Sequence, residues 1–154
     1  AEDVARFLSF RRTGLTNDPD AFRILPSDDA AISDEAWRAR LERDHVVGVE
    51  RGGDLVGVGG LSRFTGAKLD HKGLIWGMYV AAAERGSGVA GEIMQALIEI
   101  ARGQVRQLQL TVMADNARAR AFYERHGFEL YGIEPQAVRR ETGWADEALM
   151  WRVL

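Results

Sequence analysis

Arg85-Gly86-Ser87-Gly88-Val89-Ala90-Gly91 is the stretch on which the reading of this chain turns. An apolar, strand-like run, Leu74 to Val80, leads into it, and an apolar run with helical spacing leads out of it to Ile100. A glycine-rich turn that opens a helix presents several backbone N–H groups close together, with the positive end of the helix dipole behind them. Such a turn is suited to hold phosphate. Two readings compete for it. Gly86-Ser87-Gly88-Val89-Ala90-Gly91 matches G-x-G-x-x-G, the dinucleotide fingerprint, and Asp115 follows 24 residues after Gly91, just past a strand. The second reading takes Arg85-x-x-Gly88-x-Ala90 as the unit.

Three features weigh against the dinucleotide reading. In that fold the first glycine ends the strand, whereas Ala81 to Arg85 intervenes here. That fold also carries its fingerprint in the first βαβ turn, whereas this one lies past the midpoint. Arg85 has no role in the fingerprint. A nucleotide P-loop is weaker still, because no Gly-Lys-Ser/Thr follows. Glycines that merely permit a tight turn explain a backbone bend but not their number.

Working outward, Val4, Phe7, Leu8 and Leu15 recur at helical spacing and predict a helix over 2–15. A polar loop with Pro26, Asp28 and Asp29 follows the break at Asn17 to Pro19. Ser33-Asp34-Glu35 predicts a capped helix start, running to about Arg43. His45–Glu50 and Leu55–Phe64 read as strands around the turn Arg51-Gly52-Gly53-Asp54. With Leu74–Val80 they predict an antiparallel meander. Residues 88–102 read as a buried helix, 106–113 as a half-buried strand, 116–126 as a helix, and 128–133 and 144–154 as strands. A polar loop is expected from Glu134 to Gly143. The expectation is one α/β domain over residues 1–154, with a mixed sheet built as a meander followed by β-α-β-α-β-β.

A second motif accompanies the turn: Asn116-x-x-Ala119-x-x-x-Tyr123-x-x-x-Gly127-Phe128. Together with Arg85-x-x-Gly88-x-Ala90 and the preceding Trp76-Gly77-Met78-Tyr79-Val80, it resembles the GNAT superfamily of N-acetyltransferases. The resemblance is tight over about residues 74 to 133 and follows element order over most of the chain. Two departures stand out. Ala82 occupies a place where the family often has proline. The family begins with a strand before its first helix, whereas this sequence begins in that helix. An N-terminal strand is therefore expected to be absent from residues 1–154, and it either precedes residue 1 or is dispensed with by the fold.

The resemblance implies an acyl-CoA N-acyltransferase fold and transfer of an acetyl group from acetyl-CoA to an amine of a small molecule or peptide by direct attack. It implies that backbone groups of Arg85, Gly86, Ser87, Gly88, Val89, Ala90 and Gly91 hold the pyrophosphate of coenzyme A. It implies that Met78, Tyr79 and Val80 meet the pantetheine arm as an added strand, with a strand N–H polarising the thioester carbonyl. Asn116, Ala119 and Tyr123, three and four apart, share one helix face and would line the cofactor. Tyr123 would donate a proton to the departing thiolate, since a tyrosine of pKa about 10 stays protonated at pH 7.

Many relatives carry a glutamate base on the strand before the turn, but residues 73–80 hold no acid. Glu50, His71 and Glu134 stay open as bases, with ordered water as the alternative. An acceptor amine of modest pKa would ease the need for one: an α-amine near ~8 offers far more free base at pH 7 than a lysine near ~10.4. Trp76 and Glu134 are the candidate substrate residues. A non-catalytic acyl-CoA-binding sensor and, further off, a dinucleotide-binding enzyme remain as alternatives.

Bulk properties narrow the partners. A formal net charge of −3 gives no clustered basic surface for nucleic acid, so none is expected as a partner. No apolar run approaches the ~20 residues that span a membrane, and the start Ala-Glu-Asp-Val-Ala-Arg has no signal-peptide character. With no cysteine and three widely separated histidines, a cytoplasmic protein without a metal site is expected. A homodimer is compatible with the family, though no sequence feature establishes it.

Overall fold

The computed structural model describes residues 2–154. The elements in order are α1 (Glu2–Asn17), α2 (Pro26–Ala31), α3 (Asp34–Arg43), β1 (His45–Arg51), β2 (Asp54–Arg63), β3 (Lys72–Val80), α4 (Val89–Ala101), β4 (Gln107–Met113), α5 (Ala117–Arg125), β5 (Glu129–Arg139) and β6 (Trp144–Val153). The six strands form one mixed sheet in the order β1-β2-β3-β4-β6-β5. The expected mixed α/β architecture is therefore present.

Local chemistry accounts for most boundaries. Ser33 accepts the Ala36 N–H at 3.1 Å and starts α3 as a side-chain cap. The two-residue turn Gly52-Gly53 joins β1 to β2, whose antiparallel register runs from His45↔Leu61 to Arg51↔Asp54. β3 and β4 pair in parallel through Lys72↔Gln107, Gly73↔Leu108 and Leu74↔Gln109. β6 lies antiparallel to both β4 and β5.

Two expectations are corrected. The polar stretch after Asn17 contains the short helix α2, with Pro26 in its first turn, where missing an N–H costs nothing. The loop expected over Glu134–Gly143 is mostly strand, since β5 continues to Arg139. Pro135 lacks an N–H, Gln136 sits at φ +50, and the register shifts between Glu134 and Val138. The strand therefore bulges and then resumes. The Asp146 carboxylate takes the Gln136 N–H at 2.8 Å within this irregularity.

The chain divides into two compact units, Ala1–Ser62 with Ile75–Ala101, and Arg63–Leu74 with Arg102–Leu154. In the first, Phe7, Leu8 and Leu15 of α1 and Trp37 of α3 pack with Phe22, Val58 and Tyr79. Side chains alternate along β2, so Gly57 and Gly59 face away from Val58, toward α4. Val89, Ile93, Met94 and Leu97 of α4 are fully buried. In the second unit, Leu108 and Leu110 of β4 lie with Ala148 and Met150 of β6 in a buried layer that includes Phe128. Among the described residues, no helix is long and apolar enough to cross a membrane.

Candidate active site

The turn after β3 is built by its own hydrogen bonds. Ala81 N–H donates to Val56 O at 2.9 Å and ties the end of β3 to β2. A single 3-10 turn, Ala82–Glu84, follows. The Ser87 hydroxyl and N–H both donate to Glu84 O, at 2.7 and 3.2 Å. Gly86 and Gly88 stand at φ +89 and +95, a backbone state that side chains resist, and no atom lies within 4 Å of a Cβ built at either. The glycines are thus required by the bend, and they leave its outer side open. The N–H groups of Arg85 and Ser87 are spent on Ala82 O and Glu84 O. Among the described residues, those of Gly86, Gly88, Val89, Ala90 and Gly91 have no backbone acceptor. The Arg85 side chain donates to Asp18 at 2.7 Å.

α4 comes this close to the sheet because β2 lacks side chains there. A Cβ at Gly57 would lie 2.5 Å from Val89, and one at Gly59 2.4 Å from Met78 and 2.7 Å from Ile93. Sequence reading passed over these glycines. Glycine at alternate positions of a strand was the signal, since it marks close approach.

β3 breaks its own alternation at Gly77, which has φ +64. The Trp76 ring covers Gly60, and Tyr79 is packed against Phe10, Phe22 and Gly14 of the α1 side. Met78, between them, meets Gly59 on the α4 side. A strand without a kink would put Trp76 and Met78 on one face. Tyr79 is 5% exposed, so its side chain belongs to the core and only its backbone is free to serve a ligand. Met78 and Val80 are half-buried.

Trp76 adjoins a group of cations that sequence reading missed. Arg40 Cζ lies 3.9 Å from the Trp76 ring centroid and 5.3 Å from that of Trp37, and Arg11 Cζ lies 4.8 Å from Trp37. Arg11 is buried and donates from Nε to the buried Asp29 at 2.8 Å. Burial holds Arg40 below its ordinary pKa; Asp44 pulls it back up, and Arg11 adds to the lowering. Arg11 stands on the apolar stripe of α1 with Phe7, Leu8 and Leu15, and an arginine at such a position was the available signal.

The second motif forms a helix capped at both ends. Asn116 lies outside the helix: its Oδ1 accepts the Ala119 N–H at 3.0 Å as an N-cap. At the other end Gly127 N–H donates to Glu124 O at 2.9 Å and Phe128 N–H to Tyr123 O at 3.1 Å. This is the Schellman arrangement, completed by contact of the Phe128 and Tyr123 rings, 6.0 Å between centroids. Asn, Gly and Phe of the motif therefore fix a short helix around Tyr123. Ala119 is half-buried on it. Burial pushes the Tyr123 hydroxyl up to about 12. Among the described residues that hydroxyl has no hydrogen-bond partner.

The other candidate acids and bases are scattered. Glu134 is exposed on β5, opposite Glu147 in the register. Glu50 is exposed on β1 and paired with Arg6 at 2.9 Å. His71 lies in the turn before β3 and accepts the Arg106 N–H on its carbonyl. Asp115, the acid of the dinucleotide reading, is engaged bidentately by Arg140 at 2.8 and 3.2 Å. That hydrogen bond holds its carboxyl below the usual range. Glu147, not anticipated, is 1% exposed and accepts from Thr111 at 3.3 Å. Among the described residues no group of three or more His, Cys, Asp or Glu could hold a metal.

Comparison with known proteins bears on the whole of this arrangement. The model of the acetyltransferase (GNAT) family matches residues 12–128. The N-alpha-acetyltransferase RimI of Mycobacterium tuberculosis is 33% identical over 115 residues, 70% of this chain and 71% of that protein. An L-methionine sulfoximine/L-methionine sulfone acetyltransferase of Pseudomonas paraeruginosa is 30% identical over 125 residues, 75% of this chain and 70% of that protein. An acetyltransferase structure from Salmonella typhimurium, with its cofactor acetyl-CoA, superposes with a TM-score of 0.85 at 18% identity, over 99% of this chain and 89% of that one. The dinucleotide reading falls with these matches and with a strand order that is not doubly wound. With its turn, its capped helix and its relatives in agreement, the chain belongs to the acetyltransferase (GNAT) family and is an N-acetyltransferase by that membership.

Proposed function

We propose that this chain transfers the acetyl group of acetyl-CoA to a primary amine of a small molecule or peptide, with Tyr123 as proton donor to the departing thiolate. The observation that carries the proposal is the Tyr123 hydroxyl, without a hydrogen-bond partner among the described residues on a helix capped at both ends, and kept protonated by burial that raises its pKa to about 12. Acetyl-CoA supplies an activated acetyl thioester.

The open N–H groups of Gly86 and Gly88 to Gly91 suit its pyrophosphate, with the α4 dipole behind them. Met78 and Val80 offer backbone groups to the pantetheine amides, and their side chains point into packing that fixes the strand. Asn116 acts by holding the start of α5, and its amide N–H groups stay available to a ligand. In the transfer the C–N bond forms as the C–S bond breaks. Tyr123 gives its proton to sulfur, and the proton lost from nitrogen returns to the phenolate through solvent.

The family match draws on segments of both compact units, which supports residues 1–154 working as a single acetyltransferase domain. One relative is named for an N-alpha acceptor and another for L-methionine sulfoximine, which supports both acceptor classes. The absence of an acid from residues 73–80 favours a second reading, an acyl-CoA sensor without turnover.

Calorimetry with acetyl-CoA, CoA and NAD tests the cofactor, and binding of NAD but not CoA sinks the proposal. Thiol release by wild type and Tyr123→Phe tests the donor. An unchanged rate in the variant removes the role given to Tyr123.

A further inference from the structure

The acetyl-donor reading leaves a concentration of hydrogen-bond donors beside β3 unused. Arg11 and Arg40 both lie against the Trp37 ring, and Arg40 also covers Trp76. Arg11 spends Nε on Asp29, and Arg40 spends Nε on Asp44 at 3.4 Å. Asp44 is already shared, since it accepts Arg43 at 3.0 Å and the Ser62 hydroxyl. The Nη ends of Arg11 and Arg40 are not used by these pairs. Among the described residues, the indole N–H groups of Trp37 and Trp76 are both buried with no partner. One guanidinium end reaches the strand itself: a Cβ at Gly77 would lie 3.6 Å from Arg11 Nη1.

The two charges on this indole are each matched through Nε by a buried aspartate, whereas their Nη ends and the two indole N–H groups are left as donors without an acceptor among the described residues. We propose that this cluster seats a carboxylate of the acceptor, so that the acceptor is a free amino acid and not a peptide N-terminus. The inference rests on the acetyl-transfer reading above and names its substrate class.

A carboxylate is planar and takes two parallel N–H donors, which is the geometry a guanidinium offers. It would accept from those Nη groups and from an indole N–H, beside the Asp29 and Asp44 carboxylates that already hold the two Nε groups. In an α-amino acid the amine is two bonds from that carboxylate. A seat at Gly77 therefore brings the amine beside Met78, whose backbone is assigned to the thioester arm. A peptide N-terminus would present a neutral amide there and leave the spare Nη donors without a charged acceptor. Nearby guanidinium groups also disfavour the ammonium form of the amine. This eases the lack of an acid on residues 73–80.

The test is thiol release from acetyl-CoA by the intact chain. The acceptors are the standard L-amino acids, their carboxamides and short peptides with the same first residue. The expected result is a kcat/KM at least tenfold higher for one or more acids than for the matched amide and peptide. Arg40→Gln is expected to reduce that acid-to-amide ratio at least tenfold, mainly through KM, with Arg40→Lys recovering part of it. Amides or peptides turned over as well as acids would overturn the inference while acetyl transfer stands. Acid preference that survives intact in a folded Arg40→Gln would overturn it too. Acetyl-CoA binding with no turnover of any amine would sink the transferase reading itself, and this inference with it.

Discussion

Helices α4 and α5 each carry one of the two motifs, yet they are held in place by opposite means. α4 buries Val89, Ile93, Met94, Leu97, Ile98 and Ala101, whereas the residues of α5 are at most half-buried, even though the Tyr123 hydroxyl end is desolvated. The turn before α4 is shaped by its own hydrogen bonds, and the helix that follows it is locked against glycines of β2. The position of Tyr123 on α5 depends instead on Asn116 at one end and the Gly127-Phe128 cap at the other. The phosphate cradle proposed at that turn must keep several N–H groups fixed at once, and a packed core supplies that rigidity. A single hydroxyl needs only its own short helix to hold. This difference predicts that damage to α4 appears first in stability and damage to α5 first in rate.

The largest effect expected is from Leu97→Ala, which empties a fully buried site and should cost about 2–5 kcal/mol in denaturant unfolding. A cost under about 1 kcal/mol would contradict α4 being held by its core. Tyr123→Phe should lower kcat by about 10²-fold or more while leaving acetyl-CoA affinity and melting temperature nearly unchanged, as measured by thiol release and calorimetry. Asn116→Ala should cost about 1 kcal/mol and loosen α5, a loss that Asn116→Asp should largely avoid.

The phenol of Tyr123 offers a pH signature. Its folded pKa of about 12 lies above the unfolded value near 10. The stability it contributes is therefore full below about pH 10 and is lost as the pH rises through its folded value. Phenolate absorbance, wild type minus Tyr123→Phe, should show no ionisation of this residue below pH ~10. The smallest effect belongs to Arg140→Ala. It should return the depressed Asp115 carboxyl toward its ordinary value by NMR titration, with little change in stability for so exposed a pair.

The same contrast explains how much the sequence revealed. The β3–α4 turn and the α5 motif are short-range patterns, and the spacing of Arg85, Gly88, Ala90, Asn116 and Tyr123 survives in a string of letters. Family, mixed sheet and most helix and strand spans followed from them. Asn116 was read as a point on a helix face, because spacing alone does not separate a cap from the first turn. β5 was cut short because Pro135 and the left-handed Gln136 interrupt the alternation without ending the strand. The Arg11–Arg40 cluster joins α1, α3 and β3, and no local pattern brings residues 11, 40 and 76 together. The acceptor seat proposed at that cluster rests on such long-range packing, whereas the motifs proposed to serve the acetyl donor are local patterns.

The proposed reaction, acetyl transfer to an amine, would draw on both motifs. Its most direct measurement is the initial rate of thiol release from acetyl-CoA as an amino-acid acceptor is titrated in, with the acetylated product identified by mass. Saturable, amine-dependent release is expected, with one acetylated amine formed per thiol and a rate that collapses in Tyr123→Phe. Thiol release at the same slow rate with and without every amine tried, despite bound acetyl-CoA, would contradict it.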